Sequence, residues 1–495
     1  MTTTAPPFRS LASARLRRRG DRRGIALIMV LAAVTVLTVI LVEFQDESSA
    51  DFSSAITDRD AVQAEFIARS GINLSRLLIA AEPTIRQAIA PLFMLMGMKP
   101  PQIPVWEFSD RVLGAFNDSQ GSQEFTALAG VDLSKGRNLG LEGGRFELVI
   151  VDEDSKININ VAARGDAFSQ TRVAMELVGL LMGEQYTPLF EQRDRDGQYS
   201  DRYTICSAII DWADPDENMW PCDPRATAVA SSTAAEDSFY SMLEPPYKRK
   251  NTAYDSLEEL HLVRGIGDDF WSTFVDPDPG NPKKRLLTVW GQGAINVNTA
   301  NPQTLLTIVC SAAPLAAICT DPAQMQKFLM VVGLIRGFTM GAPMFGSGKD
   351  FITIMKGGGL LGPMLTALGI PPVQFPSEAE AAKMMTTESK VFSIYSDGVV
   401  KGFRRETRVR IHSVVDFRGA PAPGNWSNYG PTPMGSGSSM AGQFGAAPPM
   451  PGAMPTGTAT SGQFGATPPA GTSPDAIQGA LVANPAGTIV YFRIE

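Results

Sequence analysis

The polar and apolar positions of this chain change character sharply near its start. Residues 25–42 carry no charge, and only Thr35 and Thr38 are polar, with hydroxyls that can bond back to helix carbonyls. As a helix the run is about 27 Å long at roughly 1.5 Å per residue, close to the ~30 Å hydrocarbon core of a bilayer. Over 46–81 the pattern becomes periodic. Ala50, Ile56, Ala61, Val62, Ala64, Phe66, Ile67, Ala68, Ile72, Leu74, Leu77 and Leu78 recur every three to four residues, with Asp, Arg, Gln and Ser between them. That spacing predicts an amphipathic helix, continuous with the apolar one in a rod of about 55 residues.

Farther on, residues 82–140 are mixed, with Pro83, Pro91, Pro100, Pro101 and Pro104 breaking the pattern and a short helix expected at 107–116. Residues 144–160 predict a β-hairpin, two β-branched runs flanking an Asp-Glu-Asp-Ser-Lys turn. Helical stretches dominate 165–385, among them 171–182, 203–212, 256–263, 302–309 and 325–338. Strand character returns at 390–416 as an antiparallel pair, and again at 488–495. A large helical block between two β segments is how a domain inserted into a sheet looks. Residues 418–487 are rich in Gly, Pro, Ser, Ala and Met, with Gly442-Gln-Phe-Gly-Ala-Ala-Pro-Pro echoed from Gly462. Such composition predicts disorder, an excursion that a sheet can tolerate because loop closure grows slowly with length.

Charge narrows the membrane reading. Arg9, Arg15, Arg17, Arg18, Arg19, Arg22 and Arg23 precede the apolar run against the single acid Asp21, which places the N-terminus in the cytoplasm. Three segments fit: a cleaved secretory signal with its best site at Ser48-Ser49-Ala50, an uncleaved anchor, or a prepilin leader cut between Gly24 and Ile25. The abrupt junction after Gly24, with no polar spacer, favours the third. Net charge is −8, and removing residues 1–24 leaves 36 basic against 50 acidic residues, a net of −14. So acidic a chain disfavours a nucleic-acid groove and suits cation binding. The four cysteines fall into two local pairs, Cys206 with Cys222 and Cys310 with Cys319, without zinc spacing. They are buried thiols in a reducing compartment or two local disulfides in an oxidising one.

Four constellations carry candidate chemistry. Asp211, Asp214, Asp216, Glu217 and Asn218, with Asp223 close behind, crowd carboxylates onto one turn and suit a hard cation such as Ca²⁺. An EF-hand is excluded, because Met219 stands where glycine is needed and Arg225 where the closing Glu belongs. A different calcium loop and a solvated, Asp-capped turn both remain. Leu260-His-Leu-Val-Arg-Gly265-Ile-Gly267 resembles a helix-hairpin-helix turn, yet Asp268 and Asp269 follow where a phosphate binder has basic residues. Gly293-Ala-Ile-Asn-Val-Asn-Thr-Ala echoes Lys156-Ile-Asn-Ile-Asn as a strand entering a helix, capped by Thr299 or Asn301. The only histidines, His261 and His412, lie in no nucleophile, metal or nucleotide motif, so no enzyme is expected.

Together these residues resemble the K-type minor pseudopilins of bacterial type II secretion systems. The resemblance rests on Arg23-Gly24-Ile25 with its apolar helix, Val151-Asp-Glu-Asp-Ser-Lys-Ile-Asn-Ile-Asn, Asp211-Trp-Ala-Asp-Pro-Asp, Tyr247-Lys-Arg-Lys-Asn-Thr-Ala-Tyr-Asp-Ser-Leu-Glu-Glu-Leu and Gly293-Ala-Ile-Asn-Val-Asn-Thr-Ala. It covers roughly 22–416 plus the terminal strand. It implies an α+β fold, a pilin-like long N-terminal helix packed on an antiparallel sheet with a large inserted helical domain of helix-hairpin-helix or SAM-like type. The implied divisions are a leader (1–24), the membrane and periplasmic parts of the helix (25–43 and 44–82), and a pilin-like region with the first hairpin (83–163). The inserted domain (164–386), sheet strands (387–417), Gly/Pro-rich insertion (418–487) and final strand (488–495) follow. The resemblance further implies cleavage after Gly24 by a prepilin peptidase, methylation of the new amine at Ile25, and calcium in the acidic loops.

The implied partners are the I- and J-type minor pseudopilins, the major pseudopilin and the inner-membrane assembly platform, at the tip of a periplasmic pseudopilus exporting folded proteins. Met29 gives the tip a physical reason. Pilins commonly carry a Glu five residues into the mature chain, where it neutralises a neighbour's terminal amine within the apolar bundle. A subunit with no neighbour above it can lose that Glu. The alternative is a membrane-anchored periplasmic DNA-binding protein of a competence-type system, using the Gly265-Ile-Gly267 hairpin.

Overall fold

The computed structural model describes residues 23–95, 99–114, 116–117, 144–223, 238–339, 341–359, 361–402, 405–420 and 486–495. Most of the expected leader and of the Gly/Pro-rich insertion therefore lies outside the described residues. The chain divides into two units, Met1–Val62 and Gln63–Glu495. In the first, the described residues are helical, and the side chains from Ile25 to Phe52 that are large and apolar are all exposed. Thr35 and Thr38 return their hydroxyls to Ala32 and Val34 carbonyls at 2.8 and 2.7 Å, so over residues 25–42 the helix meets its surroundings with apolar surface.

Helix α1 (Arg23–Leu95) runs past the expected end near 82 and through Pro83 and Pro91. Each proline removes one backbone donor, a local penalty that tertiary contacts can outweigh. Here Glu82 is buried, pairs with Arg86 at 2.8 Å and accepts the Ile103 amide at 2.9 Å, while Arg86 also reaches Glu388 at 2.7 Å. The turn containing Pro83 is thus anchored from three sides.

The sheet of the second unit has the order β1 (Gly144–Asp152), β6 (Val391–Lys401), β7 (Glu406–Asp416), β8 (Thr488–Ile494), antiparallel throughout. Strands β6 and β7 form the pair expected at 390–416, and β8 is the terminal strand. Along α1, Ala64, Ile67, Ala68 and Ile72 turn one stripe toward Phe146, Leu148, Ile150, Phe392, Ile394 and Ile411. Burying a side chain such as Ile67 or Ile72 contributes about 1.5–3 kcal/mol. One contact sets how closely the layers approach: a Cβ on Gly398 of β6 would lie 2.8 Å from both the Ala64 carbonyl carbon and the Ala68 nitrogen. Only glycine fits between this strand and this helix.

The hairpin expected at 144–160 does not form. After β1 the chain makes a 3₁₀ turn (Glu153–Ser155), and β2 (Ile157–Asn158) pairs in parallel with β3 (Leu287–Thr288) instead of folding back on β1. Turn chemistry is local, but this turn's side chains are satisfied from far away in sequence, as described below.

Between β1 and β6 lies a mainly helical body with its own core. Helices α2 (Ala167–Leu181), α3 (Arg202–Ala213), α4 (Pro302–Ala312) and α5 (Pro322–Thr339) match four expected stretches to within a few residues. The stretch at 256–263 is a 3₁₀ helix (Leu257–Leu262), and that at 107–116 is a 3₁₀ turn (Val105–Phe108) followed by a short α-helix (Ser109–Gly114). Helix α2 packs on both α3 and α4. The two Asn-rich echoes adopt one geometry twice. β2 pairs with β3 and β4 (Ile295–Asn296) with β5 (Met385–Thr386), both in parallel; Asn158 and Asn296 each accept the amide two residues on at 2.9 Å. Asn160 then bonds Tyr254 and Val289, and Asn298 bonds Met344 and Phe345. Asn301 caps α4, accepting the Thr304 amide at 2.8 Å.

Candidate functional site

The acidic loop begins where α3 stops. Asp201 caps the helix by accepting the Thr204 amide at 2.7 Å, and every residue from Ile205 to Ala213 is buried. Asp214 then turns extended and Pro215 prevents another helical turn. A disulfide between Cys206 and Cys222, with Cα atoms 6.0 Å apart, ties the far end of the loop back to the helix's first turns. Cys310 and Cys319 form a second disulfide at the end of α4, with Cα atoms 5.5 Å apart.

Two carboxylates here are inside, Asp211 in the last turn of α3 and Asp214 at the start of the loop. Asp211 Oδ1 accepts the Trp220 amide at 2.8 Å, and the Arg249 guanidinium donates to the Asp211 carbonyl at 2.6 Å. Asp214 Oδ2 accepts from Gln170 Nε2 at 3.1 Å, while its buried Oδ1 has no hydrogen-bond partner. Burial pushes the Asp211 carboxyl up to about 8 and that of Asp214 to about 7, and mutual repulsion with Asp216 adds to both. Of the other residues singled out, Asp216, Glu217 and Asn218 are exposed, with Asp216 Oδ1 occupied by the Asn218 amide at 2.8 Å, and Asp223 is half-buried.

The loop therefore gathers two buried carboxylates, not the whole set of six. Among the described residues no group of three or more His, Cys, Asp or Glu side chains is arranged to hold a metal ion. The chemistry of the pair still fits a hard cation. The donors are all oxygen, one buried oxygen lacks a partner, and burial disfavours the charge that a divalent cation would stabilise.

A second charged cluster occupies the stretch that the sequence predicts as a hairpin turn. Asp152, Glu153, Asp154, Ser155 and Lys156 are consecutive and all buried. Asp154 accepts three backbone amides, Gln292 at 2.7 Å, Lys390 at 2.7 Å and Val391 at 3.2 Å. Asp152 Oδ2 receives the hydroxyls of Thr299 and Ser389. Glu153 is held by Lys156 at 3.2 Å and by Thr288, and the lysine's charge with these bonds outweighs burial to keep its carboxyl low. The cluster is a knot joining the end of β1, the start of β6 and both parallel pairs of the helical body. Five polar residues between two strongly apolar runs were the available signal.

The remaining candidates have structural partners. His261 stacks on Trp271 and His412 on Tyr395, each with ring centroids 4.1 Å apart. Gly265 adopts φ +79° and packs on Ile205 and Ser200; it is flanked by a 3₁₀ helix (Leu257–Leu262) and by a helical segment that begins as one α-turn (Asp268–Phe270) and continues as a π-helix to Val275. Asp268 and Asp269 beside it are exposed, presenting negative charge where a phosphate would approach. Among the described residues one helix, α1, is long and apolar enough to cross a membrane, and Met29 lies exposed on it.

Comparison with known proteins follows the same features. The chain is 26% identical over 182 residues to the type II secretion system protein K of Aeromonas hydrophila, an overlap of 35% of this chain and 49% of that protein. It thus spans about half the length of this curated relative. A solved structure, the GspK-GspI-GspJ complex of the enterotoxigenic Escherichia coli type 2 secretion system, shares 12% identity, covers 72% of this chain and 92% of its own, and gives a TM-score of 0.39. The stretch from Ser155 to Thr273, which holds the acidic loop, α2, α3 and the Gly265 turn, matches the family described as type II secretion system (T2SS), protein K.

Proposed function

We propose that this chain is a K-type minor pseudopilin, a non-catalytic subunit that helps initiate and cap a type II secretion pseudopilus. The observation that carries the reading is the family match over 155–273, in a chain whose α1 presents an uncharged, exposed segment at 25–42. In this reading α1 and the four-stranded sheet are the pilin-like part, and the helical body between β1 and β6 is an inserted domain. The arginines before Gly24 keep the N-terminus cytoplasmic and send the remainder to the periplasm, where the two disulfides persist. The partners are the I- and J-type minor pseudopilins, the major pseudopilin, the inner-membrane assembly platform and the prepilin peptidase. Met29 at the fifth mature position leaves the subunit without the acid a shaft subunit uses, which suits a place with no neighbour above.

Intact-mass measurement of the protein from cells with and without a prepilin peptidase tests this directly. The expected product begins at N-methylated Ile25 and depends on the peptidase. A chain still starting at Met1 in peptidase-positive cells, or one cut after Ala50, would overturn the reading.

We further propose calcium as the ion of the acidic loop, with Asp211 and Asp214 as its buried ligands and Asp216, Glu217, Asn218 and Asp223 as the pool for the rest. Bound calcium would supply positive charge to two carboxylates held away from water. A ligand that binds only the folded state stabilises it by about 2.7 kcal/mol at a hundredfold excess over its Kd. Thermal unfolding at pH 7.5 is therefore expected to shift upward with millimolar calcium over chelator, and Asp214→Asn to abolish most of that shift. Equal midpoints with calcium and with chelator would remove calcium from the account.

A further inference from the structure

The acidic loop is fastened to its helix at few points. Among the described residues, the Trp220 amide on Asp211 Oδ1 is the one hydrogen bond that leaves the stretch 215–222, and its acceptor is a carboxylate that calcium would also use. The Asn218 amide turns back within the stretch to Asp216 Oδ1, and Pro215, Asp216, Glu217, Asn218 and Pro221 are exposed. What fixes the far end is covalent. The Cys206–Cys222 disulfide joins the first turns of α3 to the residue just before Asp223, across a sequence separation of 16.

The candidate ligands are divided between helix and loop. Asp211 belongs to α3 and Asp214 ends it, so the helix places both. Asp216, Glu217, Asn218 and Asp223 lie on the loop, and Asp211, Cys222 and Asp223 line one cavity. Ca²⁺ takes six to eight oxygens, and two carboxylates supply at most four, so the loop and water complete the shell. With the disulfide intact, the loop's return to α3 is already made. Without it, each ion bound would also have to order the loop, which lowers affinity.

The two disulfides differ where this matters. Cys206 and Cys222 are both buried, and Cys222 adjoins a candidate ligand. Cys310 and Cys319 are half-buried, and the residues between them include no acid. A reductant reaches the first pair only when the loop lifts from α3, the motion that also carries Asp223 away from Asp211. We infer that the Cys206–Cys222 disulfide sets the calcium affinity of the acidic loop, so that the site binds calcium tightly only once the two thiols are oxidised, and bound calcium in turn protects that disulfide from reduction. The inference rests on the proposed calcium reading and adds the regulation of that site. In the reductive direction a dithiol supplies two electrons and two protons. The Sγ–Sγ bond breaks, Cys206 and Cys222 become thiols, and the dithiol closes to its own disulfide. Binding and reduction are linked, so the factor by which reduction weakens calcium binding is the factor by which calcium resists reduction. Tenfold corresponds to about 30 mV for this two-electron couple.

The test uses the full chain in detergent micelles at pH 7.5, first stripped of metal with chelator. Calorimetric titration with calcium should give a Kd at least tenfold weaker for Cys206→Ala/Cys222→Ala than for the parent, and within about twofold of the parent for Cys310→Ala/Cys319→Ala. A second measurement needs no variant and decides the case if the first double variant fails to fold. The parent is equilibrated in dithiothreitol redox buffers with millimolar calcium or with chelator, and each disulfide is quantified by alkylation and peptide mass spectrometry. Calcium is expected to move the midpoint of Cys206–Cys222 by about 30 mV or more toward reducing potentials and to leave Cys310–Cys319 in place. An unmoved midpoint, equal shifts of both pairs, or an unchanged Kd in a folded Cys206→Ala/Cys222→Ala variant overturns the inference while calcium binding by the parent leaves the calcium reading standing. If the parent takes up no calcium at all, that reading falls and takes the inference with it.

Discussion

Replacing Gly398 with alanine is expected to destabilise the second unit by about 3 kcal/mol or more, at the upper end of the range for forcing atoms into a packed interior. The added methyl meets backbone, not a movable side-chain end. It would lie 2.8 Å from the Ala64 carbonyl carbon and the Ala68 nitrogen, with the Ala64 carbonyl oxygen nearer still. Relief requires α1 to lift from β6, which opens contacts made by Ile67 and Ile72 against Ile394 and Phe392. Chemical denaturation should show a lower midpoint, with tryptophan fluorescence of Trp106, whose ring lies tilted against Phe392 with centroids 4.6 Å apart, reporting the separation. An unchanged midpoint would mean that the helix does not sit where its alanines place it.

Asp154→Ala is the second large effect. One carboxylate accepts the amides of Gln292, Lys390 and Val391, so alanine leaves one buried and two half-buried donors without that partner. At about 1–3 kcal/mol for each unsatisfied buried group, the loss is expected to reach about 3 kcal/mol or more. Asn at the same position retains one acceptor oxygen, so the amides on the other side lose their partner and the loss is smaller. Urea unfolding of the three proteins should rank them parent, Asn variant, Ala variant. Equal stability of the Ala variant would show that water replaces the carboxylate. The affected amides lie at the start of β6 and beside β4, so hydrogen exchange should accelerate at both.

The parts of this fold that were legible in sequence are those whose signal is local. Uncharged residues over 25–42 and the three-to-four spacing from Ala64 to Ile72 gave α1 and its buried stripe, because both come from helix geometry alone. The alternation over Arg408–Asp416 gave β7 in the same way. Misreadings occurred where distant partners decide. Asp-Glu-Asp-Ser-Lys has the composition of a hairpin turn, but its acceptors are filled by residues 288–299 and 389–391, so the chain leaves β1 for a parallel partner instead. Pro83 looks like a helix end until Glu82 and Arg86 are seen to hold the turn.

The candidate site divides along the same line. Clustered acids at 211–223 and two close cysteine pairs are visible in sequence. That Asp211 and Asp214 are buried while Asp216 and Glu217 are exposed depends on α3 being covered on all sides, which no short window reveals. Gly398 follows Ser396-Asp397 and carries no local mark of its role, because the element approaching it lies more than three hundred residues earlier.

The order of the sheet also constrains how the protein can form. Strands β1 and β6 are neighbours, yet Asp152 and Val391 are separated by the whole helical body, so pairing them early would require closing a loop of more than two hundred disordered residues. Folding is slowed by such non-local pairing, and loop-closure entropy must be spent before the contacts repay it. Once the helical body is folded, the Asp154 carboxylate already holds Gln292 within reach of Lys390, and the two strand ends are brought together by a short compact bridge. The helical body is therefore expected to fold before the sheet and to serve as its template. Pulse-labelling hydrogen exchange during refolding should protect α2 and α4 ahead of β1 and β6; simultaneous protection would show that the sheet finds its register without that help.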